Sequence, residues 1–306
     1  MPARSQLAQN RILDILDYNL FYTFFTEIRS SLVHGNILFF NINDHMQIGG
    51  IDHIYILCCG KFEDRYRYMI RAMNELGFEK SYYTFLKDDP DLNFSKNSYW
   101  EELSREIIHK YYDVDTESRK KELIVTEQIK YAPKDISLAD IAVSISHLLI
   151  WRQVNERAYG KVLVLEDDIL FFKDSIDKLR RIVEVAPSDY DLISLEDGAG
   201  MHSTMFGHEI VPEKLLYKIP TGRMRCCGAY LITGSACNKI CEWHQQKKWT
   251  LEIDHVLDLY GKLGLLNVYW AEPCIFTQGS QRNVYSSGVQ SKHIKKMTIH
   301  DLKTGD

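Results

Sequence analysis

From residue 51 onward, short apolar runs alternate with stretches of helical periodicity. Ile54-Tyr55-Ile56-Leu57, Val162-Leu163-Val164-Leu165, Leu192-Ile193-Ser194-Leu195 and Ala229-Tyr230-Leu231-Ile232 are nearly unbroken by polar residues. Such runs predict strands covered on both faces rather than half-solvated ones. Between them, apolar spacing predicts a helix from Phe62 to Leu76 stopped by Gly77, and another from Leu138 to Ala158. Ser137 and Asp140 supply a capping-box-like start to the second. Further helices are predicted over 175–185, 235–245 and 253–262, and short closing strands over Val268-Tyr269-Trp270 and Cys274-Ile275-Phe276. The alternation predicts an α/β fold: a mostly parallel sheet with helices on both sides.

Three regions fall outside that rhythm. Residues 1–50 carry Leu7, Ile12, Ile15, Leu16, Leu20, Phe24, Phe25 and Ile28 at helical spacing and are expected to form a mainly helical extension. Residues 81–133 combine the polar Lys87-Asp88-Asp89-Pro90-Asp91 with a charged helix near Tyr99–Tyr112, and are expected to be a mobile or partner-facing insertion. The tail, 291–306, is polar and basic. The main domain is therefore expected over 51–290.

The chemistry concentrates where strands end. Val162–Leu165 runs directly into Glu166-Asp167-Asp168. Unpaired carboxylates in a dry setting cost several kcal/mol or more, so charged acids here must meet a cation or water. Alternation along a strand sends Glu166 and Asp168 to one face and Asp167 to the other, so the first and third can clamp a hard divalent cation. A solvated strand end is the alternative. A second strand also ends in acid, at Glu196-Asp197-Gly198. Ligands of such sheets sit at the carboxyl ends of strands, and two acid clusters on that edge favour a site. Arg65, in the first turn of the first helix, is badly placed against the helix dipole unless an anion offsets it. Pairing with Glu63 or Asp64 is its ordinary explanation.

Bulk properties narrow the class. The 306 residues are 45% hydrophobic and 26% charged, enough for a full-sized core, and the net charge of −5 comes with no basic stripe. That argues against a nucleic-acid binder. No run is long enough to predict a transmembrane segment, and Met1-Pro2-Ala3-Arg4 lacks the order of a secretory signal, so the expected location is cytoplasmic. The aromatic run at 21–25 could touch a membrane peripherally, but with no basic face beside it packing against protein is favoured. Seven cysteines, an odd number, fit a reducing compartment. Cys226, Cys227, Cys237, Cys241 and His244 lack zinc-site spacing and are expected to be buried thiols with a histidine nearby.

Ser137-x₂-Asp140-Ile141-x₄-Ser146-His147-x₃-Trp151, followed by Val162-Leu163-Val164-Leu165-Glu166-Asp167-Asp168-Ile169, resembles glycosyltransferase family 25, which includes lipooligosaccharide β-galactosyltransferases and procollagen galactosyltransferases. Weaker segments follow the family's order: Ile56-Leu57 through Asp64-Arg65 and Met69, Gly228-Ala229-Tyr230-Leu231-Ile232, Ile253-Asp254-His255 with Leu257, and Glu272-Pro273 through Gln278. Departures at Cys58, Ala139, Asp140, Ala142 and Val143 bear on substrate identity more than on fold.

The resemblance implies a GT-A-type, Rossmann-like fold, a UDP-sugar donor carrying galactose or glucose, Mn²⁺ (or Mg²⁺), and inversion at the anomeric carbon. It implies Asp168 and Glu166 as metal residues, with His293 as a possible third ligand, and Arg65, Asp167 and Glu166 on the nucleotide side. Asp254 is implied as the base, with Glu196 or Asp197 as alternatives for that role or for acceptor binding. His147 is read as structural. The acceptor is expected to be a glycan, a lipid-linked sugar or a hydroxylysine-type hydroxyl. A non-catalytic carbohydrate-binding or scaffold protein of the same fold and a metal-dependent phosphohydrolase are the rival readings.

Overall fold

The computed structural model describes residues 47–285 apart from 60–61, 88–107, 114, 131, 133–135, 173 and 283. The expectations for 1–46 and for the tail, His293 included, lie outside the described residues.

Among the described residues, nine strands and six α-helices carry the fold. In chain order they are β1 (His53–Cys58), α1 (Glu63–Glu75), β2 (Tyr83–Lys87), α2 (Thr116–Val125), α3 (Leu138–Glu156), β3 (Lys161–Glu166), β4 (Ile169–Phe171), α4 (Ser175–Val185), β5 (Leu192–Ser194), β6 (Leu216–Lys218), β7 (Ala229–Thr233), α5 (Gly234–Gln246), α6 (Ile253–Lys262), β8 (Val268–Ala271) and β9 (Phe276–Gln278). The main sheet has the order β2-β1-β3-β7-β5-β8-β6. β2, β1, β3, β5 and β8 run one way, and β7 and β6 run against them. The expected mostly parallel, helix-flanked sheet is thus present. β4 and β9 form a separate antiparallel pair.

Period-2 alternation explains the unbroken apolar runs. In β3, Val162 and Val164 join the core on one face while Leu163 and Leu165 join the core on the other. In β1, Tyr55 and Leu57 divide from Ile54 and Ile56 in the same way. One core includes Trp151 of α3, Ile240 of α5 and Leu257 of α6; the other includes Met69 and Met73 of α1 and Leu179 of α4. The capping box at α3 forms as expected: Ser137 Oγ accepts from the Asp140 amide and the Asp140 carboxylate accepts from the Ser137 amide.

The 81–133 region needs correction. Its described parts contain β2, which pairs parallel with β1 at the sheet edge, and α2, and they bury Leu86, Ile108, Tyr111, Tyr112 and Leu123. Within the described residues, α2 anchors α6; residues 88–107, which include most of the expected polar segment and charged helix, lie outside them. Arg119 grips Glu252, the residue before α6, with a bond of 2.7 Å to Oε1 and one of 3.0 Å to Oε2. Gln128 donates to Asp258 Oδ2 at 3.0 Å. The polar surface of this stretch masked these few inward-facing positions.

At the start of β1, His53 is bonded to Thr84 (Nε2 to Oγ1, 2.8 Å) and stacked on Tyr159. Burial, helped by the nearby Arg157 charge, lowers its pKa from 6.5 to about 4. The folded state therefore resists a proton that the unfolded chain takes up near pH 6.5. The stability this neutral ring supplies is complete above pH 6.5 and is lost as pH falls toward about 4. Urea midpoints across that window should fall with acidity less steeply in His53→Gln than in the wild type; equal slopes would refute this assignment.

Candidate active site at the carboxyl edge of the sheet

β3 ends at Glu166, and β5 ends two residues before Glu196, so both acids emerge on the same edge. The antiparallel β7 starts there, with Leu165 opposite Ala229 and Ser194 opposite Tyr230. Its first amides face the acids. β9 reaches the same edge through a bridge between Glu196 and Phe276.

The triplet splits three ways. Asp167 turns toward β1, where its Oδ2 accepts from the Cys59 amide at 2.8 Å and its Oδ1 from Arg65 Nη1 at 3.0 Å. Burial pushes its carboxyl up to about 7 against the pull of the guanidinium. Arg65 is itself buried, with the Phe62 ring 4.0 Å away and the Tyr285 ring 5.6 Å away. The surface pairing with Glu63 or Asp64 is not what its described contacts show. The offsetting anion at this helix start is Asp167.

Asp168 turns toward β9. Its carbonyl accepts from the Gly279 amide at 2.7 Å and its Oδ2 from the Ser280 amide at 3.3 Å. It is only 3% exposed, and Oδ1 is buried with no hydrogen-bond partner among the described residues. Burial and then the Glu166 charge raise its pKa. Glu166 keeps 26% side-chain exposure, and its Oε1 lies 3.5 Å from His147 Nε2.

Glu196 is fully enclosed. Its Oε1 accepts from the Gly228 amide at 2.5 Å and the Ala229 amide at 3.2 Å, while Oε2 has no partner among the described residues. Burial, then the Glu166 charge, hold its carboxyl well above the usual range. Gly228 makes this close approach possible, since a Cβ there would stand 2.6 Å from Glu196 Oε2 and 2.4 Å from Gln278 Nε2. Gly228→Ala should therefore displace both side chains, lowering turnover at least tenfold while thermal stability changes by about 1–3 kcal/mol. Unchanged turnover would remove Glu196 from the site.

The remaining sequence candidates separate. Asp197 pairs with Arg282. Asp254, in the first turn of α6, is partly exposed, and its Oδ1 accepts from the His255 amide at 2.9 Å. Its charge reaches Cys226 and Cys227, whose thiols burial pushes well up and whose ionisation Asp254, Glu166 and Glu196 all oppose. Asp254 and the acids thus share these two thiols as neighbours.

Sequence reasoning missed Arg225, a buried strut whose Nη1 donates to Glu272 at 3.2 Å and to Cys274 Sγ at 2.8 Å, and whose Nη2 donates to the Ser194 and Ala271 carbonyls at 2.9 Å each. Glu272 also takes bonds from His202 Nδ1 at 3.2 Å and the Ser203 amide at 2.9 Å. His202, Glu272 and Cys274 bring metal-type donors together, but the guanidinium already touching two of them repels a second cation. All seven cysteines are free thiols, and His244 Nε2 is bonded to the Tyr111 carbonyl at 3.0 Å.

Of the positions that could hold a cation, the acid edge fits best. Its donors are oxygens, two of them buried and without a hydrogen-bond partner among the described residues, and Arg65, which contacts the triplet, is taken by Asp167. Such a set suits a hard divalent ion. No helix among the described residues is long and apolar enough to cross a membrane.

Comparison with known proteins identifies the family. The profile described as Glycosyltransferase family 25 (LPS biosynthesis protein) matches residues 94–257, more than half of the chain. Procollagen galactosyltransferase 2 of Mus musculus is 26% identical over 147 residues, covering 47% of this chain and 20% of the relative. A Bos taurus protein named "Probable inactive glycosyltransferase 25 family member 3" is 22% identical over 213 residues, covering 69% of this chain and 32% of the relative. The chain thus spans a third or less of the length of these curated relatives. Among solved structures, the inositol-1-phosphate CTP transferase from T. maritima aligns with a TM-score of 0.37 at 11% identity, over 76% of this chain and 90% of that one.

Proposed function

The chain belongs to glycosyltransferase family 25, and from that premise we propose that it is a metal-dependent, inverting hexosyltransferase. It would move galactose or glucose from a UDP-sugar to a hydroxyl of a glycan, lipid-linked or hydroxylysine-type acceptor. The name of the mouse relative, a procollagen galactosyltransferase, supports galactose as the sugar. The observation that carries the reading is Asp168 Oδ1, a buried carboxylate oxygen with no hydrogen-bond partner among the described residues, beside two further acids. A structural strand end has no use for that arrangement.

Asp168 and Glu166 would hold Mn²⁺ or Mg²⁺, which when bound supplies charge stabilisation to a diphosphate leaving group. Asp167 keeps Arg65 fixed at the end of β1, where the guanidinium can face the nucleotide. Glu196, enclosed and tied to the Gly228 and Ala229 amides, suits holding the acid edge in shape better than reaching an acceptor. Asp197 is engaged by Arg282 and is the weaker candidate for the base. Asp254, partly exposed at a helix start held by the Arg119–Glu252 anchor, would take the proton of the acceptor hydroxyl. As that oxygen bonds to the anomeric carbon, the carbon's bond to the phosphate oxygen breaks and its electron pair leaves with the nucleoside diphosphate.

The test is a donor screen in which each nucleotide sugar is assayed for Mn²⁺-dependent nucleotide release, with and without chelator. Release of UDP from UDP-galactose or UDP-glucose, abolished by chelation, is the expected result. Glycan binding with no release from any donor would favour the non-catalytic reading. Cleavage of phosphate esters alone would favour a hydrolase.

A further inference from the structure

The Ser146-His147 pair and the Tyr of Gly228-Ala229-Tyr230 acquire a joint purpose in three dimensions. We propose that Trp151, Tyr230 and His147 form a buried hydrogen-bond relay that fixes the ring tautomer of His147 and aims its Nε2–H at Glu166. His147 is then a positioning residue for a cation-holding carboxylate. This rests on the reading of Glu166 given under the proposed function.

All three side chains are fully buried, so water does not compete for their polar atoms. The indole N–H can only donate, and Trp151 Nε1 lies 3.2 Å from the Tyr230 hydroxyl oxygen. The same oxygen lies 2.7 Å from His147 Nδ1. A phenol has one hydrogen. Its oxygen accepts from the indole, and its own hydrogen goes to Nδ1, which must present a lone pair. The neutral ring then carries its proton on Nε2. A doubly protonated ring would aim two donors at the Tyr230 oxygen and strand the phenol hydrogen, which has no third partner among the described residues.

Nε2 is buried, has no hydrogen-bond partner among the described residues, and faces Glu166 Oε1 at 3.5 Å. A closing movement of about 0.5 Å brings that pair into ordinary hydrogen-bond range. With Oε1 directed to an N–H, the other carboxylate oxygen is left to face a cation, and the rotamer of Glu166 is restrained. Outer-sphere donors of this kind orient metal-holding side chains, and their loss typically costs about 10–100-fold in metal affinity. His147 and Trp151 sit one helical turn apart on α3, and Tyr230 lies on β7, which pairs with β3. The relay thus links both halves of the sequence motif to the strand that ends in Glu166.

Two measurements decide the matter. In the cation-free wild-type chain, ¹⁵N spectra of the histidine rings, with His147 assigned through His147→Gln, should show a pyridine-type Nδ1 and a pyrrole-type Nε2. The opposite tautomer, or a doubly protonated ring, overturns the relay. Mn²⁺ binding in the presence of UDP, followed by electron paramagnetic resonance, should weaken about 10–100-fold in His147→Asn. His147→Gln, whose amide nitrogen stands near the position of Nε2, should recover most of that affinity. Equal losses in both variants, or none in either, overturn the positioning role. Absence of Mn²⁺ binding by the wild type would overturn the metal reading and the positioning role together. It is distinguished from failure of the relay by the tautomer, which is read without any cation.

Discussion

Asp168→Asn is expected to lower cation-dependent turnover about a thousandfold while leaving the fold at least as stable as before. An amide keeps the acceptor for the Ser280 amide and places an N–H₂ where Oδ1 now lies buried, with no hydrogen-bond partner among the described residues. It also removes one of the like charges that Asp168, Glu166 and Glu196 impose on one another. Replacing an uncompensated buried charge is commonly neutral or stabilising, so cation-free thermal stability should stay level or rise by about 1 kcal/mol. Catalysis moves the other way. Charge stabilisation by a metal is worth several kcal/mol, and at about 1.36 kcal/mol per tenfold its loss lowers turnover about a thousandfold. Thermal melts without cation and nucleotide release with Mn²⁺ check the two halves separately. Near-normal turnover in this variant would remove Asp168 from the chemistry.

Asp254→Asn should leave donor binding close to normal and lower turnover about 10²–10⁴-fold, the usual contribution of a positioned base. The amide preserves side-chain shape and the acceptor for the His255 amide. The helix start is held independently, by Arg119 on Glu252 and by the Met224 amide on Asp258 Oδ1 at 2.6 Å. Donor affinity from calorimetry and turnover from nucleotide release separate binding from chemistry. Loss of donor affinity with the fold intact would make Asp254 a binding residue; unchanged turnover would return the role of base to Asp197 or another group.

Much of this was legible in the chain because burial on both faces leaves a plain signature. β1, β3, β5 and β7 were visible as unbroken apolar runs, and α3 by its capping pair. β2 and β6 were not, since edge strands carry polar residues and need not be apolar throughout. The acids at the ends of β3 and β5 stood out because carboxylates after apolar strands have no cheap structural explanation.

Their division of labour was hidden. Strict alternation stops at Glu166, where β3 ends, so only the turn geometry reveals that Asp167 goes to Arg65 and Asp168 to Ser280. The enclosure of Glu196 depends on a glycine more than thirty residues later, which no local pattern reports. Arg225 read as one cation among many; its burial follows from the ends of β5 and β8, whose last carbonyls it binds at Ser194 and Ala271. The Tyr230–His147 contact had a faint signal, a hydroxyl and a histidine on apolar faces that a helix and a strand must bury together.

Crystals soaked with Mn²⁺ and UDP, with manganese located by its anomalous scattering, test the central claim most directly. One strong peak is expected at about 2.1 Å from Asp168 Oδ1, with the UDP phosphates on its far side. Manganese bound elsewhere, or UDP bound with Asp168 Oδ1 still unpartnered, would contradict it.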